Sequence, residues 1–366
     1  MRSLLFLTHI VKDENNGVWK KVLSQVKALA QNSFNIDLVY RLDDNSYILK
    51  SNGIEKKIKL QQKNIIFYNV SKIINKKYDV VYIRKPHGGF YALFLFFALK
   101  KIKKINPNAL IYMEIPTYPY ANEVRTFKGY ISHYIYELSF CVFKKYLTKI
   151  LCIGDAPEYI KNVPTVKFRN GVDTDLIQMI DNRPPHDSFI FVGIANLVYW
   201  HGYDRLLMSI KKYNGTKNVK FYIIGDTEPE LSRLKSIVHQ YNLDDRVIFL
   251  GRKSQIQIIN ILKTVHVCVD SLGRHRSGNK KNDSIKSKEY AAMGLPFIKS
   301  HDDDSFNNEP FIYQVSANEK EFSIDNIICW YEDLPSNFRL QERNYAINNL
   351  AWEKIYQDFF LKEDCC

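Results

Sequence analysis

Ser284-Ile-Lys-Ser-Lys-Glu-Tyr-Ala-Ala-Met-Gly-Leu-Pro296 is followed at once by the apolar pair Phe297-Ile298. This pattern predicts a short helix that Gly294 and Pro296 shut off abruptly and that passes directly into a strand. The same alternation extends outward over the whole chain. In the second half, strand-like runs at Ser188–Val192, Val219–Ile224, Val247–Leu250, Val265–Val269 and Phe297–Ile298 have helical stretches between them. In the first half, Leu4–Ile10, Ile36–Tyr40, Val80–Ile83, Leu110–Glu114 and Ile150–Ile153 alternate with helical patterns at Val18–Ala30, Phe90–Ile105 and Gly129–Leu147. Such alternation predicts an α/β class, with parallel sheets covered by helices on both faces. A chain of 366 residues exceeds what one hydrophobic core usually serves, so two doubly wound, Rossmann-like domains are expected.

The turn-forming stretch Asp181-Asn-Arg-Pro-Pro-His-Asp187 places a linker between Asp173 and Asp187. The expected domains are therefore 1–180 and 181–343. A closing helix, Asn344–Phe360 within 344–366, carries Leu350, Trp352, Ile355 and Phe359 on a face that needs a docking surface.

Apolar residues make up 46% of the chain and charged residues 25%, which is a globular balance. The six cysteines lack metal or disulfide spacing, no stretch is long enough to span a bilayer, and the start fits a first strand better than a signal peptide. A reduced, cytoplasmic protein is expected. The net charge of +13 is uneven, since residues 1–180 hold 28 Lys and Arg against 14 Asp and Glu, whereas residues 181–366 hold 24 against 25. The basic half suits an anionic partner, such as a membrane surface on the inner face of the plasma membrane or a phosphorylated acceptor. Nucleic acid rests on charge alone, without a recognition motif, and is not expected. Phe90–Leu99 followed by Lys100-Lys-Ile-Lys-Lys104 reads as a helix buried against the sheet, with an interfacial helix as the alternative, and Tyr130–Tyr146 is the rival docking surface.

A carboxylate one turn inside a helix, as Glu289 is here, can accept ribose hydroxyls while the helix N-terminus faces a phosphate. Several landmarks recur in order around it: Asn170-Gly-Val-Asp173, Phe191-Val-Gly193, Trp200-His-Gly-Tyr-Asp-Arg-Leu-Leu207, Phe221-Tyr-Ile-Ile-Gly225, Val247-Ile-Phe-Leu-Gly-Arg252, Lys288-Glu-Tyr-Ala-Ala-Met-Gly-Leu-Pro296 and Ala351-Trp-Glu353. Together they resemble the nucleotide-sugar glycosyltransferases of the GT-B fold, family 4 type, known as glycosyl transferases group 1. The resemblance implies two Rossmann-like domains facing a central cleft, an acceptor-binding first domain, a donor-binding second domain and a closing helix that returns to the first. It further implies retaining, metal-independent hexosyl transfer from a UDP- or GDP-linked sugar to a glycan or lipid-linked acceptor, without a cofactor, in synthesis of a bacterial surface polysaccharide or lipid-linked glycan. A protein that keeps the fold and binds nucleotide sugar or glycan without transfer is the alternative.

On this resemblance Glu289 binds the donor ribose, and Arg252 and Lys253 lie beside the base. Lys281 stands where a sugar-binding glutamate is expected, with Asp283 close by. His201 stands where the diphosphate clamp has Lys, and Ile194 where it has Arg. Substitute cations are Arg274, Arg276, Lys280, Lys281, Lys286 and Lys288, in the basic loop and at the helix start marked by Ser284. Gly193, Gly225 and Gly251 follow strands where a ligand can approach the backbone. Gly17, after Asn16, opens a helix facing donor phosphate and sugar. On the acceptor side stand Arg84, Thr117 and Tyr118, with Glu114 where relatives place a catalytic histidine, as base or orienter of the acceptor hydroxyl. Asp302–Asp304 read as solvated rather than as a metal site.

Overall fold

A computed structural model of the protein describes residues 1–14, 16–124, 126–279 and 281–364. Lys280 and the Cys365-Cys366 pair thus lie outside the described residues. The chain divides into two compact units, one of Met1–Arg169 with Trp352–Cys366, the other of Asn170–Ala351.

In the first unit the elements run β1 (Arg2–Val11), α1 (Gly17–Gln31), β2 (Phe34–Arg41), β3 (Ser46–Ser51), β4 (Ile54–Lys59), α2 (Ile66–Ile73), β5 (Val80–Arg84), α3 (Phe90–Ile105), β6 (Leu110–Tyr118), α4 (Phe127–Phe143), β7 (Lys149–Gly154), β8 (Tyr159–Ile160) and β9 (Val163–Phe168). They form one sheet in the order β4-β3-β2-β1-β5-β6-β7-β9-β8. Leu4, Leu5, Phe6 and Leu7 of β1 are all buried, and the alternation of side chains along the strand divides them between two cores. Leu5 and Leu7 pack with α2, α3 and α4, while Leu4 and Phe6 pack with α1 and with Trp352, Tyr356 and Phe359.

In the second unit β10 (Ser188–Ile194), α5 (Tyr203–Lys212), β11 (Asn218–Ile224), α6 (Glu230–Gln240), β12 (Val247–Gly251), α7 (Gln255–Leu262), β13 (Val267–Val269), α8 (Ile285–Met293), β14 (Phe297–Lys299), β15 (Ile312–Gln314), α9 (Ile324–Glu332) and α10 (Phe338–Tyr345) build a parallel sheet, β12-β11-β10-β13-β14-β15. Helices α5, α6 and α9 cover one face, and α7, α8 and α10 the other. The strand order reverses between β10 and β13, so the loops leaving those two strands diverge and leave a crevice at the carboxyl edge of the sheet.

The boundary differs from the expected one. Residues 173–187 are no linker: Ile180 N–H donates to Met293 C=O at 3.0 Å, Arg183 N–H to Lys263 C=O at 2.7 Å, and Asn182 Nδ2 to Val265 C=O at 2.8 Å. These bonds tie the proline-containing stretch to the second unit. The expected closing helix is also broken. Leu350 C=O accepts from Val172 N–H at 2.9 Å, and Ala351 forms an isolated bridge with Val172. The helix loses continuity there and restarts as α11 (Trp352–Asp364), so that Leu350 packs in the second unit and Trp352, Ile355 and Phe359 in the first.

Candidate functional site

The crevice beside β10 and β13 gathers its side chains from three loops. After β10, a single helical turn at Tyr199–His201 ends on Gly202 at φ 65°. After β13 come Asp270 to Gly273, and Leu272 N–H donates to the His201 carbonyl at 2.7 Å. A Cβ on Gly202 would meet Gly273 N at 2.3 Å, so the two loops join only because position 202 is glycine. The third contribution is the start of α8, whose N-cap Ser284 makes no side-chain bond to the helix and whose first turn has no acidic residue. Its terminal N–H groups thus lack side-chain caps.

Asp270 organises this crevice. It is fully buried, accepts from Ser287 Oγ and Ser284, and pairs with Lys286 Nζ at 3.2 Å. Burial alone would raise its pKa, but Lys286, His301 and the serine bonds hold it well below the usual carboxylate range. His301, 3.8 Å away, is pushed down to about 4 chiefly by burial and is neutral. His201 is likewise lowered well below 6.5, first by burial and then by Lys286. Its Nδ1 accepts from Val198 N–H at 3.2 Å, which fixes the neutral tautomer with a proton on Nε2. The result is a half-buried imidazole donor, an ammonium ion and an uncapped helix N-terminus in one place. That is a constellation for a phosphate.

Several of the proposed substitute cations are engaged elsewhere. Arg276 forms a two-toothed pair with Asp204 at 2.8 and 3.0 Å and a second with Glu319 at 2.6 and 2.9 Å, which locks the loop rather than a ligand. Lys288 is fully buried between Asp283 and Asp303, 3.1 Å from the latter. Burial raises Asp283 to about 6, and it also accepts from Asn170 N–H at 3.0 Å, so it is a structural acid and not a sugar ligand. Asp303 is therefore not solvated as expected. Among the described residues no group of three His, Cys, Asp or Glu is placed to hold a metal ion. Lys281 pairs with Asp304 at 3.1 Å. Arg274 is buried with its guanidinium 5.8 Å from the Trp200 ring centroid, and its charge reaches His201. Glu289 is half-buried on α8. Arg252 is 73% exposed after β12, 3.6 Å from Asp226, with Lys253 beside it in sequence. Gly193 serves packing rather than ligand approach, because a Cβ there would lie 2.6 Å from the Tyr203 ring.

In the first unit the largest departure is Glu114, which is 0% exposed. Its Oε1 accepts from Lys21 at 2.8 Å and Arg84 at 3.1 Å, and its Oε2 from Gln25 and Tyr82. Burial alone would raise this carboxyl, but Lys21 and Arg84 outweigh it and hold the group at about 2. A general base needs access to the acceptor and a lone pair to receive its proton. Glu114 has neither, so the base assignment is corrected to a structural one, and Arg84 is part of the same buried cluster. Thr117 and Tyr118 are half-buried at the end of β6, where Tyr118 registers with Gly154 of β7. Gly17 opens α1 behind Asn16, whose side chain accepts from Val18 N–H at 2.8 Å.

Among solved structures, sucrose-phosphate synthase from Thermosynechococcus elongatus superposes with a TM-score of 0.67 at 16% identity, covering 100% of this chain and 99% of that one. A glycosyltransferase from Rickettsia africae gives 0.65 at 14%, covering 99% and 98%, and Anabaena HepE in complex with UDP and glucose gives 0.62 at 11%, covering 100% of both. The chain has the GT-B fold. Residues 177–303 of this GT-B chain match the family model described as Glycosyl transferases group 1. No curated protein sequence matches it. Within the GT-B frame the residue that sequence reasoning missed is Asp270. A carboxylate directly after the apolar run Val267-Cys-Val269 was its signal, because a strand's carboxyl end is where such sheets bind ligands.

Proposed function

We propose that this protein is a glycosyltransferase that moves a sugar from a nucleoside-diphosphate donor to an acceptor hydroxyl, with the donor diphosphate held by the second unit. The observation that carries this reading is the crevice at the β10/β13 switch point, where the Nε2–H of His201, Lys286 and the uncapped start of α8 converge around buried Asp270. Hydrogen-bond donors and cations fixed in this way stabilise the negative charge that grows on a departing diphosphate as the glycosidic bond breaks. Glu289, one turn further along α8, is assigned to the ribose hydroxyls, and Arg252 and Lys253 to the base. Thr117 and Tyr118, half-buried at the end of β6, are assigned to the acceptor side, whereas Arg84 is held by Glu114 and supports that strand end from within.

The matched family segment and the UDP bound in HepE favour a nucleotide-sugar donor of the UDP or GDP type. Retention of anomeric configuration, hexosyl transfer independent of a metal ion, and a bacterial surface polysaccharide or lipid-linked acceptor belong to the same proposal. An assay of nucleoside diphosphate released from a panel of nucleotide sugars tests it. Turnover with at least one donor, undiminished by EDTA, is expected. Binding of a donor with no transfer to any acceptor and no hydrolysis would favour the fold's use as a binding protein. Turnover abolished by EDTA and restored by a divalent ion would overturn metal independence.

A further inference from the structure

Helix α4 has two apolar faces. Tyr136, Phe140 and Phe143 point inward to the core, with Ser139 beside them. On the opposite side Phe127, Tyr130, Ile131, Tyr134, Leu138 and Val142 are between 45% and 79% exposed. At 3.6 residues per turn these six fall within about 120° of helix surface, a continuous stripe rather than scattered residues. An amphipathic helix covering a sheet needs only its inner stripe, so the outer one is unexplained by folding.

Charge indicates what covers it. Lys128 stands in the first turn, and Lys144 and Lys145 follow the last. The neighbouring α3, joined to α4 by a 2.8 Å bond from Gly89 N–H to Ser132 C=O, ends in Lys100, Lys101, Lys103 and Lys104. Lys100 and Lys145 each lie 5.9 Å from the ring centroid of Phe96, so the cationic ends of the two helices meet. Between residues 85 and 149 there are ten Lys and Arg against three acidic residues, of which Glu114 is buried and Glu137 is paired with Lys161. Tyr and Phe beside lysines whose long stems can reach past them suit the boundary between lipid headgroups and acyl chains. A second copy of the chain would set like charges against each other across a symmetric contact. Among the described residues no helix is long and apolar enough to cross a membrane, so contact would be peripheral.

We propose that the outer face of α4, with the lysines at its ends and at the end of α3, is a docking surface for an anionic phospholipid bilayer. It rests on the first unit alone and stands whether or not the donor reading does. Co-sedimentation of the whole protein with phosphatidylcholine vesicles, with and without about 30% phosphatidylglycerol, tests it. Binding to the anionic vesicles that weakens with salt is expected. Tyr134→Ser combined with Leu138→Ser should reduce it at least about tenfold. Lys128→Glu and Lys145→Glu should each lower the partition coefficient by roughly fivefold or more. All these side chains are on the surface, so melting temperature and nucleotide-sugar thermal shifts should be unchanged. No affinity for anionic vesicles, equal binding by the Tyr134/Leu138 variant, or equal binding to neutral vesicles would overturn the proposal. So would a concentration-dependent dimer that the same substitutions dissolve, in the absence of vesicle binding.

Discussion

Replacing Glu114 by Ala takes a carboxylate from between the buried Lys21 and Arg84. The expected loss is about 3–5 kcal/mol of stability, measured by denaturant unfolding, because like-charged groups remain in a poorly solvated site. A residue acting only as a base would instead cost activity and leave stability intact. The folded pKa of about 2 lies below the ordinary 4.5. Stability from this group is therefore present in full above about pH 4.5 and is lost as the pH falls toward 2. His201 is open to a pH test. Its pKa is lowered by burial, so its donor contact is made by a neutral ring, and the His201 share of nucleotide affinity should be flat between about pH 6 and 8. Titration calorimetry of wild type and His201→Ala over that range reads it, and a difference that grows sharply toward pH 6 would mean that the imidazolium does the binding. None of this was legible from residue type. Glu114 reads the same in sequence whether it faces solvent or four donors, and Arg276 and Lys288 look like free cations until Asp204, Glu319, Asp283 and Asp303 arrive from distant positions.

Elements were far more legible, because strand alternation and helical periodicity are local. Every strand expected in the central sheets is present. The β3/β4 hairpin was missed because β4, Ile54-Glu-Lys-Lys-Ile-Lys59, is exposed and charged on an edge, and so lacks the apolar alternation of a half-buried strand. Its turn, Asn52-Gly53 with φ of 50° and 80°, was the available signal. The break before α11 was hidden for the opposite reason, since an apolar helical pattern runs through it and only pairing with Val172 interrupts the backbone. Element junctions also decide the site. Gly202→Ala would place a methyl against the Gly273 backbone and separate the two loops that meet at the crevice. We expect a loss of roughly 2–4 kcal/mol together with weaker nucleotide binding, read by thermal melts with and without ligand. A variant with unchanged melting and binding would show that the loop junction is unimportant.

At the scale of the molecule, the sequence carried the class of architecture well and its division poorly. Pro184 and Pro185 imitate a linker, yet their neighbours are bonded to the second unit, and the true boundary at Arg169/Asn170 is marked only by the Asn170-Gly171 pair that opens the landmark Asn170-Gly-Val-Asp173. Helix α8 was readable because Gly294 and Pro296 mark its end. The cluster of Asp270, His201 and Lys286 was not, since the three come from the loop after β13, the turn after β10 and the start of α8. This crevice and α8 are proposed to bind a nucleoside-diphosphate sugar. A thermal-shift screen of UDP- and GDP-linked sugars on the wild type, Glu289→Ala and Asp270→Asn tests it most directly. At least one donor should raise the melting temperature of the wild type, with a clearly smaller shift for both variants. No stabilising donor, or shifts of equal size in all three proteins, would contradict it.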